Sequence, residues 1–300
     1  MIEAGPPPSI YYGGCAFGCA FYIGVHRAMR ERWGRDYHKH MYITGDSSGS
    51  VMATCVALGF SDEDISRVYL KMSRTALQRG PAFNRAEAAR VGMVEEVFER
   101  VPDAYALVRD RLSIGVTVYP FTHEWKTGWR SNEELLDTIL ASMHIPLYNP
   151  NTRPYFLGND LIDGAYSMHG DALPHGDRTL FVGFSPYSDV TSTLTLDQQL
   201  LPHVGEDFTR LVSDGYRSFS AWDGQLKEKV GRWRPKYLIL RVMWLCRALE
   251  PDSDLLTAFW SRFNDLHGIR PSFDHALEKP IASSDSVLTV GSDDSWESES

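Results

Sequence analysis

The sequence predicts an α/β fold, with a central, mostly parallel sheet and helices on both faces. Three observations predict it. Strand-like and helix-like runs alternate along the chain, the pattern of a sheet layered with helices. A G-x-S-x-G stretch, Gly45-Asp46-Ser47-Ser48-Gly49, joins a strand-like run at 41–44 to a helix-like run at 51–58. A turn of small residues, Gly13-Gly14-Cys15-Ala16-Phe17-Gly18, joins a strand-like start to an amphipathic run ending at Trp33.

The elements follow in order. A strand is expected over 9–13, where an apolar run meets the glycines, and a helix over 18–33. The next strand, 41–44, leads through the Gly-Ser turn into a helix over 48–59. A helix over 61–78 opens on Ser61-Asp62-Glu63-Asp64, an N-cap followed by an acidic first turn that suits the helix dipole. Helices over 85–100, 132–143 and 206–222 and strands over 112–119, 155–162 and 179–185 complete the pattern. The Ser- and Thr-rich stretch 186–200 reads as a loop.

The Gly-Ser turn carries the first chemical signal. Between strand and helix, G-x-S-x-G reads as a nucleophile elbow. Gly45 and Gly49 permit a sharp turn that lifts the Ser47 hydroxyl out of the chain. The following helix aims its positive end at charge forming near that oxygen. Ser48 and Ser50 lack the paired glycines, so Ser47 is the better nucleophile. A Gly/Ser loop that only caps a helix is the plainer alternative. The turn at Gly14-Cys15-Ala16 could direct backbone N–H groups at an anion, an oxyanion hole; alone it would read as a tight βα turn. The third signal is Tyr155-Phe156-Leu157-Gly158-Asn159-Asp160-Leu161-Ile162-Asp163-Gly164-Ala165, a strand pair ending in Asp-Gly. A carboxylate there can face a cleft, although Asp-Gly is also common in hairpins. Asp160 fits the preceding turn better.

These segments, in this order, resemble the patatin-like phospholipase family. Gly14-Cys15-Ala16-Phe17 followed by Phe21-Tyr22-Ile23-Gly24-Val25 is similar to the branch containing adipose triglyceride lipase and adiponutrin. The run from Ser131-Asn132-Glu133-Glu134 to Ile145-Pro146-Leu147-Tyr148 resembles the helix before the family's aspartate strand. Asp214-Gly215-Tyr216 with Phe219 resembles its last core helix. The resemblance spans about 9–223. It implies a patatin-like three-layer sandwich and a lipid acyl hydrolase with a Ser–Asp dyad, Ser47 and Asp163. It also implies an oxyanion hole at Gly14, Cys15 and Ala16, with Gly45 and Gly49 shaping the elbow. A dyad is chemically sufficient: a serine hydroxyl needs a base within hydrogen-bond reach, and a carboxylate in a dry site can serve.

The chain departs from the family pattern at Ala16, where glycine is usual, and at Cys19, where the branch has glycine. Asp171-Ala172-Leu173-Pro174 stands as a displaced counterpart of the family's Asn-x-Pro, after an insertion holding His169. A transacylase is the close alternative, since an alcohol could replace water as acceptor. A lipid-binding pseudoenzyme is a second, favoured by Ala16. A Ser-Asp-His triad with His169 or His175 as base is a third.

Composition bounds the rest. Three hundred residues with 43% hydrophobic content suit one large α/β domain or two small ones. The net charge is −9, and five of its acidic residues lie in 283–300, which holds no Lys or Arg. Bulk attraction to nucleic acid or anionic membrane is not expected, and this tail has a disordered composition. Cys15, Cys19, Cys55 and Cys246 form no C-x-x-C pair. They read as reduced, small apolar residues of a cytoplasmic protein. No metal and no cofactor are expected, and no signal peptide or membrane span is visible. The reading by segment is a lead over 1–8, a catalytic domain over 9–223, an extension over 224–282 and the acidic tail over 283–300. The segment 237–249, interrupted by Arg241 and Arg247 and preceded by Arg232, Arg234 and Lys236, has two readings. It packs on the core, the favoured one, or lies as a peripheral contact on a membrane or lipid droplet. The expected partner is a lipid ester substrate. Which ester, and any coactivator protein, does not show in motifs.

Overall fold

The structure is a computed structural model that describes residues 5–79, 85–118, 122–145, 155–156 and 159–229. The segment 237–249, the acidic tail and Cys246 lie outside the described residues. The chain opens with β1 (Ser9–Tyr12), α1 (Ala20–Trp33), β2 (Tyr42–Asp46) and α2 (Ser48–Ala57). Then follow α3 (Asp62–Arg79), α4 (Arg85–Met93), α5 (Ala104–Val108), β3 (Leu112–Val118), β4 (Thr122–Lys126) and α6 (Asn132–Ser142). The remainder is β5 (Tyr155–Phe156), β6 (Asn159–Asp163), β7 (Thr179–Gly183), β8 (Val190–Thr191), α7 (Leu196–Leu200) and α8 (Gly205–Ser220). β7, β1, β2 and β3 pair in parallel, in that spatial order, and β8 extends them beside β7. β4, β5 and β6 pair antiparallel. The α/β class with a mostly parallel sheet therefore stands.

Alternation along the strands sorts the side chains. Ile10, Tyr12, Ile43, Leu112, Ile114, Leu180 and Val182 share one core with residues of α1, α2, α3, α6 and α8. The opposite face carries Tyr11 and Phe181, packed with Met168 and Leu173 from the turns after β6. Two glycines explain how tightly α1 and α8 pack. A Cβ on Gly24 would lie 1.8 Å from the Val212 carbonyl oxygen, and one on Gly215 would lie 1.9 Å from that of Phe21. The Asp214-Gly215-Tyr216 motif is thus a helix-crossing point. Ser61 caps α3 as expected: its hydroxyl accepts from the Asp64 N–H, and the Asp64 carboxylate accepts from the Ser61 N–H.

The expected helix over 85–100 is α only to Met93 and continues as a π turn over Val94–Phe98. The expected loop over 186–200 contains β8 and α7. Its overlooked signal is Thr195 with Gln198, a capping box. Among the described residues no helix is long and apolar enough to cross a membrane.

One detail of the sheet places the site. β4 pairs with β3 along Ile114–Val118. β2 pairs with β3 at residues 112–115 and β6 at residues 116–118. A strand has two edges, so β2 and β6 share the one that β4 leaves. They run toward each other along it. Their last residues, Asp46 and Asp163, pair with the adjacent β3 residues Gly115 and Val116.

Candidate active site

Ser47 links β2 directly to α2 and adopts φ 50° and ψ −135°. Among the described residues the non-glycine residues at positive φ are Ser47 and Ala16. Both belong to the set expected from the sequence, and backbone strain of this kind collects at functional sites. The two elbow glycines act by close approach. A Cβ on Gly45 would lie 2.3 Å from the Gly49 carbonyl oxygen, and one on Gly49 would lie 2.1 Å from that of Tyr12. α2 therefore starts hard against β1 and β2, with its positive end beside Ser47.

Gly14 connects the segments. A Cβ there would lie 2.9 Å from the Cβ atoms of both Ser47 and Ala165. The loop after β1 thus packs on the serine and on the turn that follows Asp163. Within the loop the three expected oxyanion donors differ. The Cys15 N–H donates to Ser48 Oγ at 3.2 Å, so this donor is engaged in the present geometry. Ala16 holds φ 51°. The Cys15 and Cys19 sulfurs are 3.2 Å apart, both are buried and in no disulfide, and the Cys19 thiol donates to the Ala16 carbonyl at 3.2 Å. Burial pushes the Cys15 thiol pKa up, so the thiol stays neutral.

Left-handed backbone costs alanine about 1–2 kcal/mol relative to its preferred conformation. Ala16→Gly should relieve it, less the extra freedom glycine brings to the unfolded chain. The expected result is a slightly raised thermal midpoint and a turnover that is unchanged or higher. A clear drop in turnover at normal stability would mean that the loop requires the alanine.

Asp163 is buried and caps the turn Gly164–Tyr166, its Oδ1 accepting the Ala165 N–H at 2.9 Å. Its own N–H donates to the His144 carbonyl at 2.8 Å, and its carbonyl accepts from Thr117 Oγ1 at 2.8 Å. A Cβ on Gly164 would lie 2.8 Å from the Asp46 Cβ. The structure therefore brings the Asp163 turn, the elbow and the loop at Gly14 together. The histidines fare differently. The His175 ring lies edge-on to Tyr42, which begins β2, at the opposite end of that strand from Ser47. Among the described residues the buried Nδ1 of His169 has no hydrogen-bond partner, so none of their carboxylates orients that ring through Nδ1.

Three residues of the site escaped the sequence reading. Ser142, the last residue of α6, is fully buried. Its hydroxyl accepts the Ser47 N–H at 2.8 Å and donates to the Gly115 carbonyl at 2.6 Å. It thereby holds the strained peptide at Ser47. Ser142→Ala strands two buried backbone groups, a cost of about 1–3 kcal/mol. Turnover should fall roughly tenfold, the scale of about 1.4 kcal/mol in the barrier, with KM little changed. Ser142→Thr keeps the hydroxyl and should recover most of the turnover. Steady-state kinetics of both variants check this; equal loss in both would show that packing, not the hydroxyl, matters. Tyr11 and Asp46 are the other two: the Tyr11 hydroxyl donates to Asp46 Oδ2 at 2.6 Å, with both residues buried.

Comparison with known proteins gives a consistent picture. A family model described as patatin-like phospholipase matches residues 12–171. The chain is 25% identical over 197 residues to patatin-like phospholipase domain-containing protein 5 of Mus musculus, covering 63% of this chain and 44% of that protein. It is 25% identical over 193 residues to 1-acylglycerol-3-phosphate O-acyltransferase PNPLA3 of Homo sapiens, covering 62% and 39%. It is 26% identical over 189 residues to omega-hydroxyceramide transacylase of Mus musculus, covering 61% and 31%. The chain thus spans less than half the length of these relatives.

Proposed function

The chain belongs to the patatin-like phospholipase family, and from that premise we propose that it is a serine-dependent lipid acyl hydrolase. Ser47 attacks the carbonyl carbon of a carboxylic ester, and Asp163 takes the hydroxyl proton. The tetrahedral oxyanion is held by N–H groups of the loop Gly14-Cys15-Ala16 and by the positive end of α2. Asp163 returns the proton to the leaving alcohol, leaving an acyl-serine. Water, activated by Asp163, then releases the fatty acid. The observation that carries this reading is the strained Ser47, set on the junction where β2 and β6 meet end to end. Gly14 packs on both the serine and the turn after Asp163. Each well-placed oxyanion donor is worth about 3–4 kcal/mol of barrier.

The engaged Cys15 amide has a chemical consequence. To serve the oxyanion it must leave Ser48 Oγ, so ligand binding would tighten or rotate this loop; apo sites commonly hold looser catalytic contacts than the bound state. A second reading is favoured by the names of two relatives, an acyltransferase and a transacylase. Here an alcohol on a second lipid takes the place of water at the same acyl-serine. Two measurements test these readings. A fluorophosphonate probe should label Ser47 and no other serine. A panel of lipid esters, run with and without an acceptor alcohol, should give free fatty acid for the hydrolase and a new ester for the transacylase. Absence of labelling with intact fold would return the chain to a lipid-binding role. A lipid ester is the proposed partner, and contact with a membrane or droplet surface remains part of this proposal.

A further inference from the structure

The site holds a second buried carboxylate that the two-residue mechanism does not use. Asp46 ends β2 beside Gly115, and Asp163 ends β6 beside Val116. Their partners Gly115 and Val116 face opposite sides of the sheet, so the two side chains leave the edge on opposite faces; the Gly14 loop links them, since a Gly14 Cβ would lie 2.9 Å from the Ala165 Cβ and the Ala165 N–H is held by Asp163 Oδ1. The Asp46 side chain points to the sheet face of Tyr11, whose hydroxyl donates to it at 2.6 Å. Its Oδ1 comes within 3.4 Å of where a Gly14 Cβ would stand, and its Cβ lies against Gly164. Tyr11 is closed off from water by Phe181, Trp125, Met168 and Leu173. Its phenol is pushed well above the usual range by burial first, then by the charge of Asp46, with Asp163 contributing. The tyrosine therefore remains a hydrogen donor at every working pH, and a donor stabilises the charged form of the carboxylate it meets.

We propose that Asp46 is a positioning residue of an electrostatic kind: held as a carboxylate by Tyr11, it keeps Asp163 basic enough to take the Ser47 proton. The inference rests on the hydrolase reading. Two like charges in one dry pocket raise each other's proton affinity. Tyr11 stabilises the charge on Asp46, so the raised proton affinity falls to Asp163. The same charge opposes the oxyanion near Gly14, so the arrangement favours proton abstraction at some cost to the tetrahedral intermediate. Among the described residues, the other titratable groups around the two aspartates are Cys15 in the loop after β1, His123 on β4, whose Nδ1 meets Ser167 Oγ, and His144 after α6, whose carbonyl accepts the Asp163 N–H.

The test is the pH dependence of Ser47 labelling by a fluorophosphonate and of kcat/KM on a neutral short-chain ester. In the wild-type protein the acid limb should lie at least about one unit above the ordinary aspartate value near 3.9. Asp46→Asn keeps the size and an acceptor for Tyr11, and Asp46→Ala removes both. If charge is what acts, both variants move the acid limb down by about one unit or more and lower the plateau rate by about tenfold. A wild-type limb at the ordinary aspartate position overturns the proposal without any variant. So does a limb that stays in place or moves up in either variant, or one that moves in Asp46→Ala alone, which would be the mark of shape. Absence of labelling in the wild-type at any pH is a different result, since it removes the hydrolase reading itself.

Discussion

Ser47→Ala is expected to lower ester turnover by about a thousand-fold or more, the scale seen when a serine nucleophile is removed, and to leave the protein folded. The backbone argument makes the second half testable. Ser47 stands at φ 50°, a conformation costing a non-glycine residue on the order of 1–3 kcal/mol. Alanine carries the same strain, so stability should change little. Ser47→Gly should lose the same activity yet unfold at a higher temperature, because the strain disappears with the Cβ. Ser48→Ala separates nucleophile from neighbour. Ser48 is fully buried, and its hydroxyl accepts the Cys15 N–H. Its loss frees that donor but loosens the loop, so an effect within about tenfold is expected. Turnover retained in Ser47→Ala, or equal loss in Ser47→Ala and Ser48→Ala, would remove the assignment.

The parts of the site legible in the sequence are those written in local chemistry. Glycines flanking a serine between a strand-like and a helix-like run have one economical explanation, and the close contacts of Gly45 and Gly49 are its physical content. The long helices were legible for the same reason, through caps and apolar spacing. β4 was not. Its sequence Thr122-His123-Glu124-Trp125-Lys126 has no apolar alternation and is partly exposed along its length, so neither strand signal was present. Ser142 and the Tyr11–Asp46 pair escaped because their meaning lies in partners far along the chain. Ser142 is 95 residues from Ser47, and Tyr11 is 35 from Asp46. A buried serine at a helix end reads as ordinary packing until the peptide it holds is known. The same holds for the Cys15 amide, whose partner lies 33 residues away.

The other large effect belongs to Asp163. Asp163→Asn should lower turnover by at least about a hundred-fold, the lower range for loss of a general base, with the fold kept. Asparagine can still accept the Ala165 N–H through its amide oxygen. The remaining anchors, to His144 and Thr117, are made by the backbone and survive the change. What the proposed mechanism would lose is the capacity to take a proton from Ser47. Fluorophosphonate labelling should slow in parallel with turnover, since both need the activated hydroxyl. A variant impaired only in releasing the acyl group would still label at the normal rate, so the two measurements place the defect at the first step. His169→Ala and His175→Ala are the necessary controls. His175 stands by Tyr42 at the far end of β2, and neither ring is expected to matter to the chemistry. Should either histidine variant cost as much while Asp163→Asn stays active, a triad replaces the dyad, and the head-to-head meeting of β2 and β6 becomes a structural junction alone.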